Sequence, residues 1–293
     1  MEHFGLLIVD KPVGPTSHQV VNIVRRGTGI RKVGHAGTLD PRASGVLVLC
    51  LGSATRLSEY LSVASKRYQA IVRFGVSTET YDAEGEIVVQ TGNAPSRQEI
   101  EEILPDFLGE INQVPPPYSA IKVKGSKAYE LAREGKDVEL EARTITIYDL
   151  QLSSYKAPDL ALEIECSAGT YIRSLAHDLG TRLSTGAHLA ALRRVKAGPF
   201  TIDDAIPFPK LEVGFMVDKW ERYIIPARDA IPDFPIVEVS QEDLEHIKFG
   251  HRISAGPGSS GLARAINNEG KLIAILEAVE DGTLWHPRKV FIG

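Results

Sequence analysis

Cysteine is almost missing: the 293-residue chain holds only Cys50 and Cys166. That rules out a disulfide framework, and Cys50, inside Val46-Leu47-Val48-Leu49-Cys50-Leu51, reads as a small hydrophobe suited to a reducing cytosol. Crosslinks are not needed, since a chain of this length buries roughly 75% of its extended surface on folding. Long apolar runs are also lacking. No window approaches the ~18 uninterrupted apolar residues of a membrane helix, and the N-terminal apolar stretch stops at Asp10, too short for a signal segment. A soluble, cytoplasmic protein with no membrane association is expected. The eight histidines never pair at metal-ligand spacing with a Cys or carboxylate cluster, so no metal site is expected. Gly27-Thr28-Gly29 is followed by glycine only at Gly34, which fails the dinucleotide spacing, and there is no Walker A sequence. Ser119-Ala120-Ile121-Lys122 has the Ser-x-x-Lys spacing of penicillin-recognising enzymes, but it follows three prolines and lacks the partner motifs, so it is coincidence.

What is present is charge of both signs, strongly segregated. The net charge of −5 argues mildly against a nucleic-acid partner when taken whole. Residues 11–73, however, carry a net +8 and residues 166–198 a net +4, whereas 74–111 carry −8 and 199–293 carry −5. A single charge run is usually a solvated face. Two basic blocks far apart in sequence can form one surface if the fold brings them together.

Periodicity and turn signals predict a strand at Phe4–Val9, a helix capped at Thr16-Ser17 and stopping at Gly27, and strands at Val46–Leu51 and Tyr68–Phe74. Ser96-Arg97-Gln98-Glu99 has capping-box spacing and opens a helix through Ile100, Ile103 and Leu104. The Val114–Tyr118 segment, with three prolines, must be extended, and residues 122–136 form an excursion from the body. Strands at about 138–147 and 160–167 precede a helix starting near Thr170, its expected cap, and ending at Leu183. This order predicts an α+β fold with a mixed, mainly antiparallel sheet flanked by helices. Prolines 226, 232 and 235 mark a linker over 226–235, followed by a β-rich second domain with strands at 236–239, 262–266, 271–278 and 289–292 and a helix at 241–249.

Three constellations carry chemistry. Gly34-His35-Ala36-Gly37-Thr38-Leu39-Asp40-Pro41 places an acid, extended by the proline after it, in a basic block beside His35 and Arg42. An Asp-Pro pair in a glycine-rich loop is ordinarily a turn, but a lone carboxylate among cations is either an ion-pair member or a reactive group. Tyr171 and Arg173 open the helix whose buried stripe is Ile172, Leu175, Ala176 and Leu179. Lys66-Arg67-Tyr68 interleaves cations with an aromatic ring, as RNA-stacking surfaces do.

Together, Gly5–Ser17, Gly34–Pro41, Lys66–Tyr68, Gly169–Arg173 and Gly186–Arg194 resemble the TruB-type tRNA pseudouridine synthases, in the order of that family. The resemblance implies a pseudouridine-synthase catalytic domain over 1–228, with a mobile thumb at about 120–140, and a small PUA-like β-barrel RNA-binding domain over 235–293. It implies isomerisation of the T-loop uridine of tRNA, at the position conventionally numbered 55, without cofactor or metal, by an enzyme expected to act as a monomer. It assigns Asp40 as the catalytic aspartate, Arg173 as its arginine partner and Tyr68 as the ring stacked on the target base. It also places Tyr171 and Leu192 on the pocket wall, His35 at the extruded loop nucleotides, and Arg56 and Lys11 among the substrate contacts. Two other classes fit parts of the pattern. A non-catalytic RNA-binding protein would not require the Asp40, Tyr68 and Arg173 set, and a synthase for another uridine would differ in loop shape.

Overall fold

The computed structural model describes residues 4–119, 121–123, 125–134 and 139–292. They fall into two compact units, one made of residues 1–40, 46–62 and 199–293, the other of 41–45 and 63–198. Among the described residues no helix is long and apolar enough to cross a membrane.

In the first unit, the strand Gly5–Lys11 is the core, with Leu6, Leu7, Ile8 and Val9 wholly buried. It pairs in parallel with Ile206–Pro207 and antiparallel with Ile225–Pro226. Pro226, the first residue of the segment read as a linker, takes part in that pairing, and Ala227, Ala230 and Ile231 within the segment are buried. The helix Ser17–Thr28 starts at a Thr16 capping box closed by Gln19, as its sequence requires, and buries Val20, Val21 and Val24. It runs past Gly27 to a left-handed Gly29 cap. Gly27 is an interior position where the Phe215 ring lies so close that a Cβ would sit 2.3 Å from it.

Residues 236–290 of this unit form a five-stranded sheet in the order 236–238, 262–266, 272–279, 284–290 and 253–254. Ile247, Ile253, Ala263, Ala265, Ala274, Leu276 and Trp285 fill its core. The last strand, expected at 289–292, is Leu284–Val290, and its Pro287 sits where the register slips against Leu276.

In the second unit, the strand Ala187–Ala197 is the hinge of the topology. On one side it pairs in parallel with Ala43–Gly45, the first residues of the strand Ala43–Leu51; on the other it pairs antiparallel with Lys66–Phe74. Antiparallel neighbours Asp159–Cys166, Arg143–Lys156 and Gly109–Gln113 continue the sheet, which is mixed and mainly antiparallel as expected. Lys66–Phe74 alternates strictly, burying Lys66, Tyr68, Ala70, Val72 and Phe74 on one face. The helix Ile172–Arg182 packs on Ala187–Ala197 and Lys66–Phe74 through its apolar stripe. Thr170 does not cap it: Tyr171 occupies the N-cap position and makes no side-chain cap. The helix Arg97–Ile103 does carry the Ser96 to Glu99 capping box. In the excursion, Lys122–Val123 pairs with Ser126–Lys127 ahead of a helix Ala128–Arg133; residues 120, 124 and 135–138 lie outside the described residues.

Gly45 has a φ of +101°, and a Cβ there would lie 2.1 Å from the Arg194 carbonyl oxygen, across the parallel pairing. Gly14, at φ +117°, has nothing within 4 Å. Gly45→Ala is therefore expected to lower stability by more than about 2 kcal/mol in urea unfolding, and Gly14→Ala by clearly less. Equal costs would mean that the dihedral angle, not the close approach, matters.

Candidate active site

Of the residues expected at the site, Lys11, His35, Asp40 and Arg56 belong to the first unit, and Tyr68, Tyr171, Arg173 and Leu192 to the second.

The loop that presents Asp40 is held from both ends in the first unit. Val33–His35 pairs antiparallel with Leu49–Leu51, and the Ala36 N–H donates to the Val48 carbonyl at 2.9 Å. Ser17, first residue of its helix and 2% exposed, accepts from the Leu39 N–H at 2.8 Å and donates to the Leu39 carbonyl at 2.9 Å. One hydroxyl thus fixes both backbone groups of the residue before Asp40, which is half-buried. Lys11 is fully buried; its ammonium donates to the carbonyls of Pro12 and Pro15, each at 2.8 Å, and so shapes the loop leading to Thr16. Arg56 is exposed, and its guanidinium donates to the Val290 carbonyl.

In the second unit, register settles which side chains share a face. Tyr68, 8% exposed, lies opposite Arg194 and Ile164, while Leu192 lies opposite Ala70 and Ala43. Tyr68 and Leu192 therefore stand on the same side of the sheet. Tyr171 is clamped by Gln113, a buried amide that accepts from its N–H at 2.8 Å and donates to its carbonyl at 3.0 Å. The Ser174 hydroxyl donates to the Val114 carbonyl at 2.8 Å, which pins the proline segment to the start of the helix.

Arg173 is 8% exposed, and its guanidinium meets acceptors from two segments. Its guanidinium donates to the Thr80 carbonyl at 3.2 Å, to Asp82 Oδ2 at 3.4 Å and to the Tyr118 carbonyl at 3.1 Å. Asp82 in turn is fixed through Oδ1, which accepts from the Thr80 hydroxyl at 2.6 Å and from the Glu84 N–H at 3.0 Å. Asp82, Thr80 and Gln113 were not expected at the site. Their one sequence signal is that Asp82 sits in Thr78-Glu79-Thr80-Tyr81-Asp82, a threonine-flanked acid in a loop of the acidic block, which looked like solvated surface.

Burial shifts several groups. It pushes the Cys50 and Cys166 thiols up to about 12 and about 11, so both are inert at neutral pH. Burial, with Arg194 nearby, lowers Lys66 to about 8. Burial raises Asp178, on the Arg173 helix, from its ordinary 3.8 to about 6. Between those values the unfolded chain releases the Asp178 proton before the folded protein does, so stability falls as pH rises through that window, and the loss is complete above it. Asp178→Asn should raise stability at pH 7.5 by about 1 kcal/mol, the partial exposure of the group being discounted. That gain should shrink as the pH is lowered from 6 toward 4, as read by thermal unfolding; a pH-independent gain would remove titration as its cause.

The same architecture occurs in solved structures. A Cbf5-Nop10-Gar1 complex contains a chain that matches with a TM-score of 0.77 at 27% identity, covering 99% of this chain and 85% of that one. An H/ACA ribonucleoprotein bound to a substrate RNA containing 2′-deoxyuridine matches with a TM-score of 0.76 at 26% identity, over 99% and 86%. The model of the N-terminal domain of TruB family pseudouridylate synthases matches residues 25–172, and that of the C-terminal domain of tRNA pseudouridylate synthase B matches 173–227. These matches define a pseudouridine synthase, an isomerase. More particularly, the chain belongs to the TruB family: proteins named tRNA pseudouridine synthase B from Dehalococcoides mccartyi and Pseudomonas aeruginosa are 44% and 40% identical to it. Each alignment spans 290 residues and 98% of this chain, with 96% and 95% of the relative covered.

Proposed function

We propose that the protein converts the T-loop uridine of tRNA, at the position conventionally numbered 55, to pseudouridine. Membership of the TruB family carries this reading, together with an acid on a doubly fixed backbone and a buried tyrosine and arginine in the other unit. The reaction breaks the N1–C1′ bond, rotates the uracil and joins C5 to C1′; C5 gives up its proton and N1 takes one up from solvent, so substrate and product are isomers. Its atoms balance without an external reagent.

The reactive atoms are covered in a stacked nucleotide, so the base must be flipped out. His35 assists that extrusion. The Asp40 carboxylate acts at the ribose, by attack on C1′ or removal of the C2′ proton. Arg173 supplies the positive charge of the site. Tyr68 stacks on the detached uracil so that it turns without escaping, and its phenol is placed for the C5 proton. Tyr171 and Leu192 wall the pocket, and no cofactor or metal takes part. Lys11 and Arg56 belong to the substrate-binding set; the burial of Lys11 supports an effect exerted through loop shape. Residues 1–228 carry the chemistry, with the 120–140 insertion as a thumb, and 235–293 act as a PUA-like RNA-binding module. The enzyme works as a monomer in the cytoplasm.

Asp40→Asn should abolish tritium release from C5-labelled uridine in T-loop transcripts, by about 1,000-fold or more, while tRNA affinity changes less than about threefold. Near-normal turnover would overturn the assignment.

The basic blocks overstate the phosphate-binding face. Lys11, Lys66, Arg173 and Arg194 are buried, and Arg67, Arg73 and Arg182 are paired with Glu165, Asp159 and Asp106. Exposed Arg26, Arg31 and Lys32 remain the stronger candidates. Affinity for tRNA should fall with salt with a log–log slope of roughly −3 to −5, not the steeper value the summed charge suggests. A flat response would exclude a phosphate-binding face.

A further inference from the structure

Tyr81 has a backbone φ of +62°, the left-handed region that a bulky side chain avoids. Its ring lies flat on the imidazole of His177, with centroids 3.9 Å apart and planes 11° from parallel. His177 follows Arg173 by four residues on the helix Ile172–Arg182, so the two side chains emerge from one face, a turn apart. The loop between the paired strands Val76–Thr78 and Ile87–Gln90 is thus laid along a single stripe of the helix. Thr80 and Asp82 meet Arg173, and the residue between them, Tyr81, meets His177.

We infer that the Tyr81–His177 ring pair is a positioning clamp, which holds the Thr80 carbonyl and Asp82 Oδ2 against the guanidinium of Arg173. Neither ring is a catalytic group. The His177 Nδ1 is buried and has no hydrogen-bond partner among the described residues, so the face of the imidazole, not that nitrogen, fixes the contact. The opposite side of the loop is anchored to the sheet, where the Leu189 N–H donates to the Tyr81 carbonyl at 2.9 Å. Within the loop, the Thr78 hydroxyl donates to the Asp82 carbonyl at 2.6 Å. These bonds make the segment stiff, and the ring pair sets where the stiff segment docks. Asp82 Oδ1 is occupied by Thr80 and Glu84, so a slide of the loop along the helix would carry Oδ2 off Arg173 as a unit. A glycine at position 81 would accept the backbone conformation without strain. The tyrosine is explained by its ring.

The inference rests on the role of Arg173 in the proposed reaction, and two readouts separate the two. In steady-state pseudouridylation of a tRNA transcript, Tyr81→Phe should keep kcat within about twofold of the parent. Tyr81→Gly, which relieves the strained φ but removes the ring, should lower kcat about tenfold or more with KM nearly unchanged. His177→Ala should match it, and the double variant should be no worse than either single one. Full activity of Tyr81→Gly, or a change in KM alone, would overturn the clamp. Hydrogen exchange of the 79–85 segment judges it without reference to turnover. Faster exchange in Tyr81→Gly and His177→Ala but not in Tyr81→Phe supports the clamp, and unchanged exchange in all three contradicts it. If the parent protein released no tritium, the proposed reaction would fail while this second readout still decided the clamp.

Discussion

A buried guanidinium organises the second unit. Removing a charge from water costs several kcal/mol unless partners meet it, and Arg173 meets acceptors from two separate segments. Asp82 and the Thr80 carbonyl come from one loop, the Tyr118 carbonyl from the proline segment, and the helix start is fixed by Gln113 and Ser174. Together these elements supply acceptors to a cation that burial has taken out of water. The arrangement explains why the three prolines precede the excursion, since they bring the Tyr118 carbonyl to Arg173 along a stiff path.

The first unit solves a different problem, that of presenting one carboxylate from a loop without letting the loop move. Ser17 does this with a single hydroxyl on Leu39, and Lys11 does the same for the turn before Thr16. Lys11 and Ser17, both in motifs that look like a binding surface, also brace the backbone from within. Asp40 follows directly on the braced Leu39.

Local signals were legible where the chain itself decides the structure. The Thr16 and Ser96 capping boxes, the alternation of Lys66–Phe74 and the apolar stripe of the Arg173 helix all appear as read. The signals failed where a tertiary contact decides. Gly27 looked like a helix stop but lies under the Phe215 ring, and Thr170 looked like a cap one residue before the true N-cap position. Pro287 hid the last strand because a register slip accommodates it. The family resemblance supplied the expected site residues, and it supplied none of Asp82, Gln113 and Tyr81. Their function lies in pairing with residues about 60 to 100 positions away, which no local pattern records. Charge sums misled in the same way, because a sequence does not distinguish a buried arginine from one that meets solvent.

The most direct test of the account is to locate the product. A tRNA transcript is incubated with the protein and its pseudouridines are mapped by selective chemical adduct formation and primer extension. The account predicts one new stop, at the T-loop uridine, and none in a transcript whose T-loop is refolded by mutation. Stops at other uridines, or an unmodified T-loop under conditions where the protein binds the transcript, would contradict it.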